Sequence, residues 1–162
     1  MKKSLLHLGF ICLYLSFVNY SNGQKRWVSD NESVLTQVQV NRLDSLFNLH
    51  EKKTTNEIVL VTTKDFGTDT SILSYSLNLY RDLGIGKKDK NNGVLIVYSG
   101  EKRQTRITTG YGTELVLKDE IAQKIIAESM LPHFKKGNTF EGLWEGSKAL
   151  IAFLERPENK IN

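Results

Sequence analysis

Two short apolar runs constrain this 162-residue chain more than any other feature. Ile58-Val59-Leu60-Val61-Thr62-Thr63 and Val94-Leu95-Ile96-Val97-Tyr98 are rich in β-branched residues and carry almost no polar interruption. An alternating strand needs cover on one face only, whereas an unbroken apolar run needs cover on both, which calls for a sheet held between layers of helix. Between the runs, Ile72, Leu73, Ser76, Leu79, Tyr80 and Leu83 recur at helical spacing and stop at Gly84. Residues 58–98 therefore read as a parallel strand-helix-strand unit of right hand, with the first run as a central strand. Gln104 to Thr109 alternates, and the short Ser99-Gly100-Glu101-Lys102-Arg103 link makes it antiparallel to the second run.

Helices account for most of the remainder. Ser29 or Asp30 is placed to cap a first helix, with Glu32 completing a capping box, and Leu35, Val40, Leu43, Leu46 and Phe47 carry its apolar stripe to about Lys53. Ile121, Ala122, Ile125, Ile126 and Met130 mark a later helix that stops at Pro132, with His133 in the turn. Phe140, Leu143, Trp144, Ser147, Leu150, Ile151 and Leu154 mark a last one. The polar tail, residues 156–162, is expected to fray. The fold class expected is α/β: a three-layer α/β/α sandwich, Rossmann-like, around a small mixed β-sheet.

Met1-Lys2-Lys3, a short apolar stretch over residues 5–18 and the small-residue site Ser21-x-Gly23 have the pattern of a secretory signal peptide over residues 1–23. The apolar stretch is shorter than the roughly 20 residues of a spanning helix. Residues 24–156 are then expected to form one exported domain, periplasmic or secreted, monomeric and without a transmembrane segment after cleavage. Removing Lys2 and Lys3 takes the net charge from +4 to +2. So nearly neutral a chain is not expected to bind nucleic acid.

The only cysteine, Cys12, falls inside the leader, and its neighbour Ile11 is too large for a lipoprotein cut. The mature chain therefore has no thiol nucleophile and no redox dithiol. His50 and His133 are far apart in sequence with no acid at ligand spacing, and no phosphate-loop, dinucleotide or Gly-x-Ser-x-Gly signature is present. Oxygen donors remain. Sheet topology favours Asp65 and Glu101, which leave the carboxyl ends of the two runs. Loop composition favours Asp89-Lys90-Asn91-Asn92, hard ligands of the kind calcium takes. Such loops also arise because Asp and Asn hydrogen-bond their own backbone.

Taken in order, several pieces carry a likeness: Val28-Ser29-Asp30, Glu57-Ile58-Val59-Leu60-Val61-Thr62, Leu83-Gly84-Ile85-Gly86, Asn92-Gly93-Val94-Leu95-Ile96, Arg106-Ile107-x-x-Gly110-Tyr111-Gly112-x-Glu114 and Phe134-Lys135-x-Gly137. Over residues 27–153 the chain resembles the TPM domain family, exported or membrane-tethered α/β domains. The resemblance implies a Rossmann-like sandwich, binding of a divalent cation, calcium in some members, and phosphatase activity in a few. Asp30, Asn92 with Gly93, and Glu114 match family positions. Where members often carry an acid directly before Asn-Gly, this chain has Asn91, with Asp89 two residues earlier.

The expected metal set is Asp30, Asp89, Asn92, Glu114 and Asp119, holding calcium or magnesium; no catalytic residue is assigned. If the ion served catalysis it would polarise a phosphate monoester and activate water, with Lys87, Lys88 and Lys90 near the phosphate. The other reading is a non-catalytic module of the cell envelope that assists assembly or repair of a membrane complex, its partner an envelope protein rather than a phosphate ester. Each matched residue also has a plain structural reading. Asp30 can be a helix cap, Gly110 and Gly112 can serve a tight turn, and Glu114 can be a solvated acid.

Overall fold

Both apolar runs are strands. The computed structural model describes residues 27–161, so the signal-peptide reading, Cys12 included, lies outside the described residues. The elements run β1 (Val28–Asp30), α1 (Gln37–Thr54), β2 (Glu57–Thr62), α2 (Ile72–Leu83), β3 (Gly93–Ser99) and β4 (Gln104–Thr109). After them come α3 (Tyr111–Glu114), α4 (Asp119–Ile125), a π-helical turn (Ile126–Met130), α5 (Leu131–Phe134), α6 (Thr139–Leu154) and a 3₁₀ turn (Pro157–Asn159). The sheet order is β1-β2-β3-β4, parallel between the first three and antiparallel between β3 and β4.

Alternation along β2 and β3 divides the core. Ile58, Leu60, Val94, Ile96 and Tyr98 face α1, α4 and α6, where they meet Leu43, Phe47, Ala122, Leu143, Leu150 and Leu154. Val61, Leu95 and Val97 face α2 and its Ile72, Tyr75, Leu79 and Leu83. The three-layer arrangement follows directly from two strands that are apolar on both sides. Successive parallel strands step the same way across the sheet while α1 and α2 cover opposite faces. The two crossovers are therefore of opposite hand, and the right hand expected for such units holds for only one of them.

Residues 28–30 are the main departure from expectation. Instead of leading into a helix they pair with β2, Val28 opposite Leu60 and Asp30 opposite Thr62. Asp44 of α1 fixes this edge by accepting the amides of Trp27 and Val28 at 2.7 and 2.9 Å. The cap of α1 is Thr36, which forms a capping box with Gln39, so neither Ser29 nor Asp30 caps it. Glu32 reaches across to accept the amides of Gly100 and Glu101 at 3.0 and 2.9 Å.

Nor does Pro132 stop its helix. The Leu131 amide donates to Ile126 five residues back, and this widened turn accommodates the missing N–H and the ring, so that the chain stays helical through α5 and His133. The tail docks instead of fraying: Asn159 Nδ2 donates to the Phe153 carbonyl at 2.8 Å and Ile161 is buried.

At the end of α1, His50 is buried and its Nδ1 lies 3.0 Å from Glu155 Oε1 at the end of α6, while Lys53 binds the other carboxylate oxygen. Burial holds the imidazole below its ordinary value of 6.5, against the opposing pull of Glu155. Burial pushes the Glu155 carboxyl up, but hydrogen bonds from Lys53 and then His50 hold it below its ordinary 4.5.

Two expectations follow. Phe47 is fully buried, and Phe47→Ala should cost about 3–5 kcal/mol in urea denaturation. The unfolded chain protonates His50 more readily than the folded one, so stability is full above about pH 6.5 and falls as pH drops through that value towards the lower folded-state pKa. The Glu155 contribution, present above about pH 4.5, is lost below it. A Tm series in pH should show both declines, and His50→Gln should remove the first while only diminishing the second, which Lys53 also sustains.

Candidate functional site

The residues picked out as ligands lie at opposite ends of the sheet. Asp30 ends β1 opposite Thr62, whereas Asn92 directly precedes Gly93, which pairs with Glu57 at the start of β2. Five to six residues of strand separate the two levels, roughly 16–20 Å. Asp30 and Asn92 therefore do not share an ion.

At the carboxyl ends of the parallel strands, Asp30 is fully engaged. Its Oδ1 accepts the Val34 amide at 3.2 Å and the Thr62 hydroxyl at 2.5 Å, and its Oδ2 accepts the Leu35 amide at 2.8 Å. Thr62 in turn accepts the Glu32 amide at 3.1 Å. These bonds close the loop before α1, a structural role close to the capping one. Asp65 turns back onto the Gly67 amide at 2.9 Å, and Glu101 is exposed.

The opposite end is built around Asn92, which is fully buried. Its Nδ2 donates to the Thr55 carbonyl at 2.9 Å and to Asn56 Oδ1 at 3.1 Å, while its Oδ1 accepts the Lys87 amide at 2.9 Å. Beside it Glu57, also buried, accepts the Gly86 amide at 2.8 Å and the Lys87 ammonium at 2.9 Å. Glu51 binds the same ammonium at 3.0 Å, and these two carboxylates, Glu57 foremost, hold the Lys87 pKa above its ordinary value. Neither Asn92 nor Lys87 is left with a free donor set for a ligand.

The Gly110-Tyr111-Gly112 segment packs onto this loop by close approach, not by a glycine-only backbone angle. A Cβ on Gly112 would fall 1.9 Å from the Lys90 carbonyl oxygen, and one on Gly110 would fall 2.4 Å from that of Asn91. The Asn91 carbonyl accepts the amides of Gly112 and Thr113 at 3.1 and 3.4 Å. Asn91 itself has φ +49, a left-handed angle that asparagine tolerates well. Loop 87–92 and α3 are thereby fixed to one another, and with them Asp89 and Glu114, both exposed. Among the described residues neither carboxylate makes a hydrogen bond or ion pair. Asp119 at the start of α4 is instead bound by Arg106 at 3.5 Å.

Two buried polar atoms near this junction lack a hydrogen-bond partner: Thr113 Oγ1 and the Tyr80 hydroxyl, which lies against Gly93 and Gly110. Burial pushes Tyr80 up to about 12, with Glu57 adding to the shift and the Gly93 backbone opposing it. Sequence alone does not bring Glu57, Glu51 and Tyr80 together at this junction, although Glu57 heads a matched strand and Tyr80 lies in the apolar stripe of α2. The available signal was an acid heading a wholly apolar strand, where a charge must find a partner. No group of three or more His, Asp or Glu side chains suited to a metal occurs among the described residues. Among them, too, no helix is long and apolar enough to cross a membrane.

The TPM domain model matches residues 28–153. Among solved structures, the N-terminal domain of a P. gingivalis protein is 34% identical, with a TM-score of 0.74, covering 80% of this chain and 82% of that one. The BA42 protein from the psychrophilic bacterium Bizionia argentinensis is 22% identical, with a TM-score of 0.66, covering 82% and 97%. The N-terminal domain of the cg2496 protein from Corynebacterium glutamicum is 10% identical, with a TM-score of 0.62, covering 83% and 84%. The last two likenesses concern fold alone. No curated protein matches the chain. From the match along nearly the whole described length, the chain belongs to the TPM domain family.

Proposed function

We propose that this chain is an exported TPM domain that takes up a divalent cation, calcium or magnesium, where loop 87–92 meets α3, and acts as a binding module of the cell envelope. The observation that carries this reading is the glycine-dependent contact between those two segments, which holds the exposed, unengaged carboxylates of Asp89 and Glu114 on adjoining elements. Carboxylates completed by water are hard donors suited to either ion. When bound, the ion would supply positive charge for a partner group. Asp30, Asn92 and Asp119 fall outside this set: the first is across the sheet, the second is consumed internally, and the third is bound by Arg106.

Binding is preferred to phosphate ester hydrolysis because Lys87, the lysine at the head of the loop, is already held between Glu51 and Glu57. The export reading rests on the leader pattern over residues 1–23.

Calcium titration followed by amide chemical shifts should move residues of loop 87–92 and α3, with Kd on the order of 10⁻⁴–10⁻³ M. Asp89→Asn with Glu114→Gln should weaken this at least tenfold. Asp30→Asn should leave it unchanged while lowering stability by about 1–3 kcal/mol, since buried amides lose a charged acceptor. Shifts centred on Asp30, or calcium-dependent turnover of p-nitrophenyl phosphate, would overturn the reading.

A further inference from the structure

We propose that the furrow between α1 and α6 is a docking site for an amphipathic helix of another protein, one that sets a carboxylate among its apolar side chains. Val38, Arg42, Leu46 and Leu49 of α1 line it together with Trp144 of α6. Arg42 lies over Phe140 and Trp144 near the start of α6, and His50 meets Glu155 just past its end, so the two helices run side by side in the same direction. The core takes a different strip of α1, made of Val40, Leu43, Phe47 and His50. Val38 and Leu49 stand 68% and 66% exposed on the outward strip, where a helix with no further partner carries polar residues. Positions 38, 42, 45 and 49 extend over about three turns, roughly 16 Å, at the spacing along which a second helix packs.

Arg42 selects the occupant. Its guanidinium is held 4.6 Å from the centre of the Trp144 ring and 5.0 Å from that of Phe140, and it makes no ion pair or hydrogen bond among the described residues. Stacking on aromatic faces orders the planar fork and leaves its N–H donors to a carboxylate. Neighbouring charges are matched or turned away. Lys148, 5.9 Å from Trp144, pairs with Glu145 at 2.8 Å, and Glu141 stands about 100° round α6 from Phe140. Asn41 and Ser45 are bonded within α1. Apolar walls with one unpaired cation are complemented by an apolar helical stripe that carries an acid. A second copy of this chain complements them poorly: Arg42 is near the middle of the 38–49 row, so two-fold pairing brings both guanidinium groups within about one turn of each other. Gln24-Lys25-Arg26, just ahead of β1, also bring like charge, and the C-terminal tail is already docked through Asn159 and Ile161.

Two synthetic helices of about 18 residues, each with a leucine stripe, one flanked by glutamates and the other by lysines, test the proposal on the full mature chain. The acidic peptide should shift the amides of residues 38–49 and the Trp144 indole, and the basic one should bind at least about tenfold more weakly. Arg42→Gln should cost the acidic peptide about tenfold, and Arg42→Glu should reverse the preference, with the Tm of both variants within a few degrees of wild type. Val38→Ser with Leu49→Ser should weaken both peptides. Equal affinity for the two peptides, no binding by either, or shifts centred away from this furrow overturns the proposal. So does a dimer in sedimentation that Leu49→Ser dissociates, which makes a second copy the occupant, or laurate that gives the same shifts at equal affinity, which makes it a fatty acid. No arm needs calcium, so the cation reading stands or falls separately.

Discussion

Everything at the amino end of the parallel strands hangs on the side chain of Asn92. A buried amide must satisfy two donors and an acceptor, and here the partners come from the α1–β2 junction and from the loop after α2. The two donor bonds join segments more than thirty residues apart. They also fix the path of residues 87–92, which sets where the Asn91 carbonyl points and so where α3 can sit. Glu57 reinforces the same joint from the strand side by taking the Gly86 amide and the Lys87 ammonium. An asparagine read as an ion ligand is better understood as the internal brace on which loop 87–92 is mounted.

The parts of the fold legible in the sequence were those where burial writes a period. β2 and β3 were visible because both faces are covered; α2 and α6 were visible because only one face is. β1 was not, because three residues, Val28 to Asp30, are too few to show alternation, and Ser29-x-x-Glu32 imitates a capping box. Its strand character comes from distant partners, Leu60 in the sheet and Asp44 on α1. Pro132 misled for a similar reason: the rule that proline ends a helix assumes a regular ladder, and a π turn immediately before it relaxes that ladder.

Residue types at the candidate site were legible, but their grouping was not. Strand order alone places Asp30 and Asn92 at opposite ends of the sheet, and that order needed β1. Topology and composition disagreed over which rim mattered, and the structure explains both signals. Carboxylates at the carboxyl rim, Asp30 and Glu32, are spent on backbone amides that close long loops. The polar loop at the other rim spends its asparagines on structure and leaves its acid, Asp89, exposed. Composition can find polar groups but cannot tell which have already been used.

The opposite hands of the two crossovers leave the sheet unevenly clothed. One face carries α1, α4 and α6, while among the described residues the other is covered by α2 alone, with Leu73 and Leu77 on its outer side still partly exposed. Lifting a single twelve-residue helix would bare Val61, Leu95 and Val97 without disturbing the thicker layer. Thermal breathing of the domain is therefore directional, and amide exchange should be quicker in α2 than in the helices that lock His50 to Glu155.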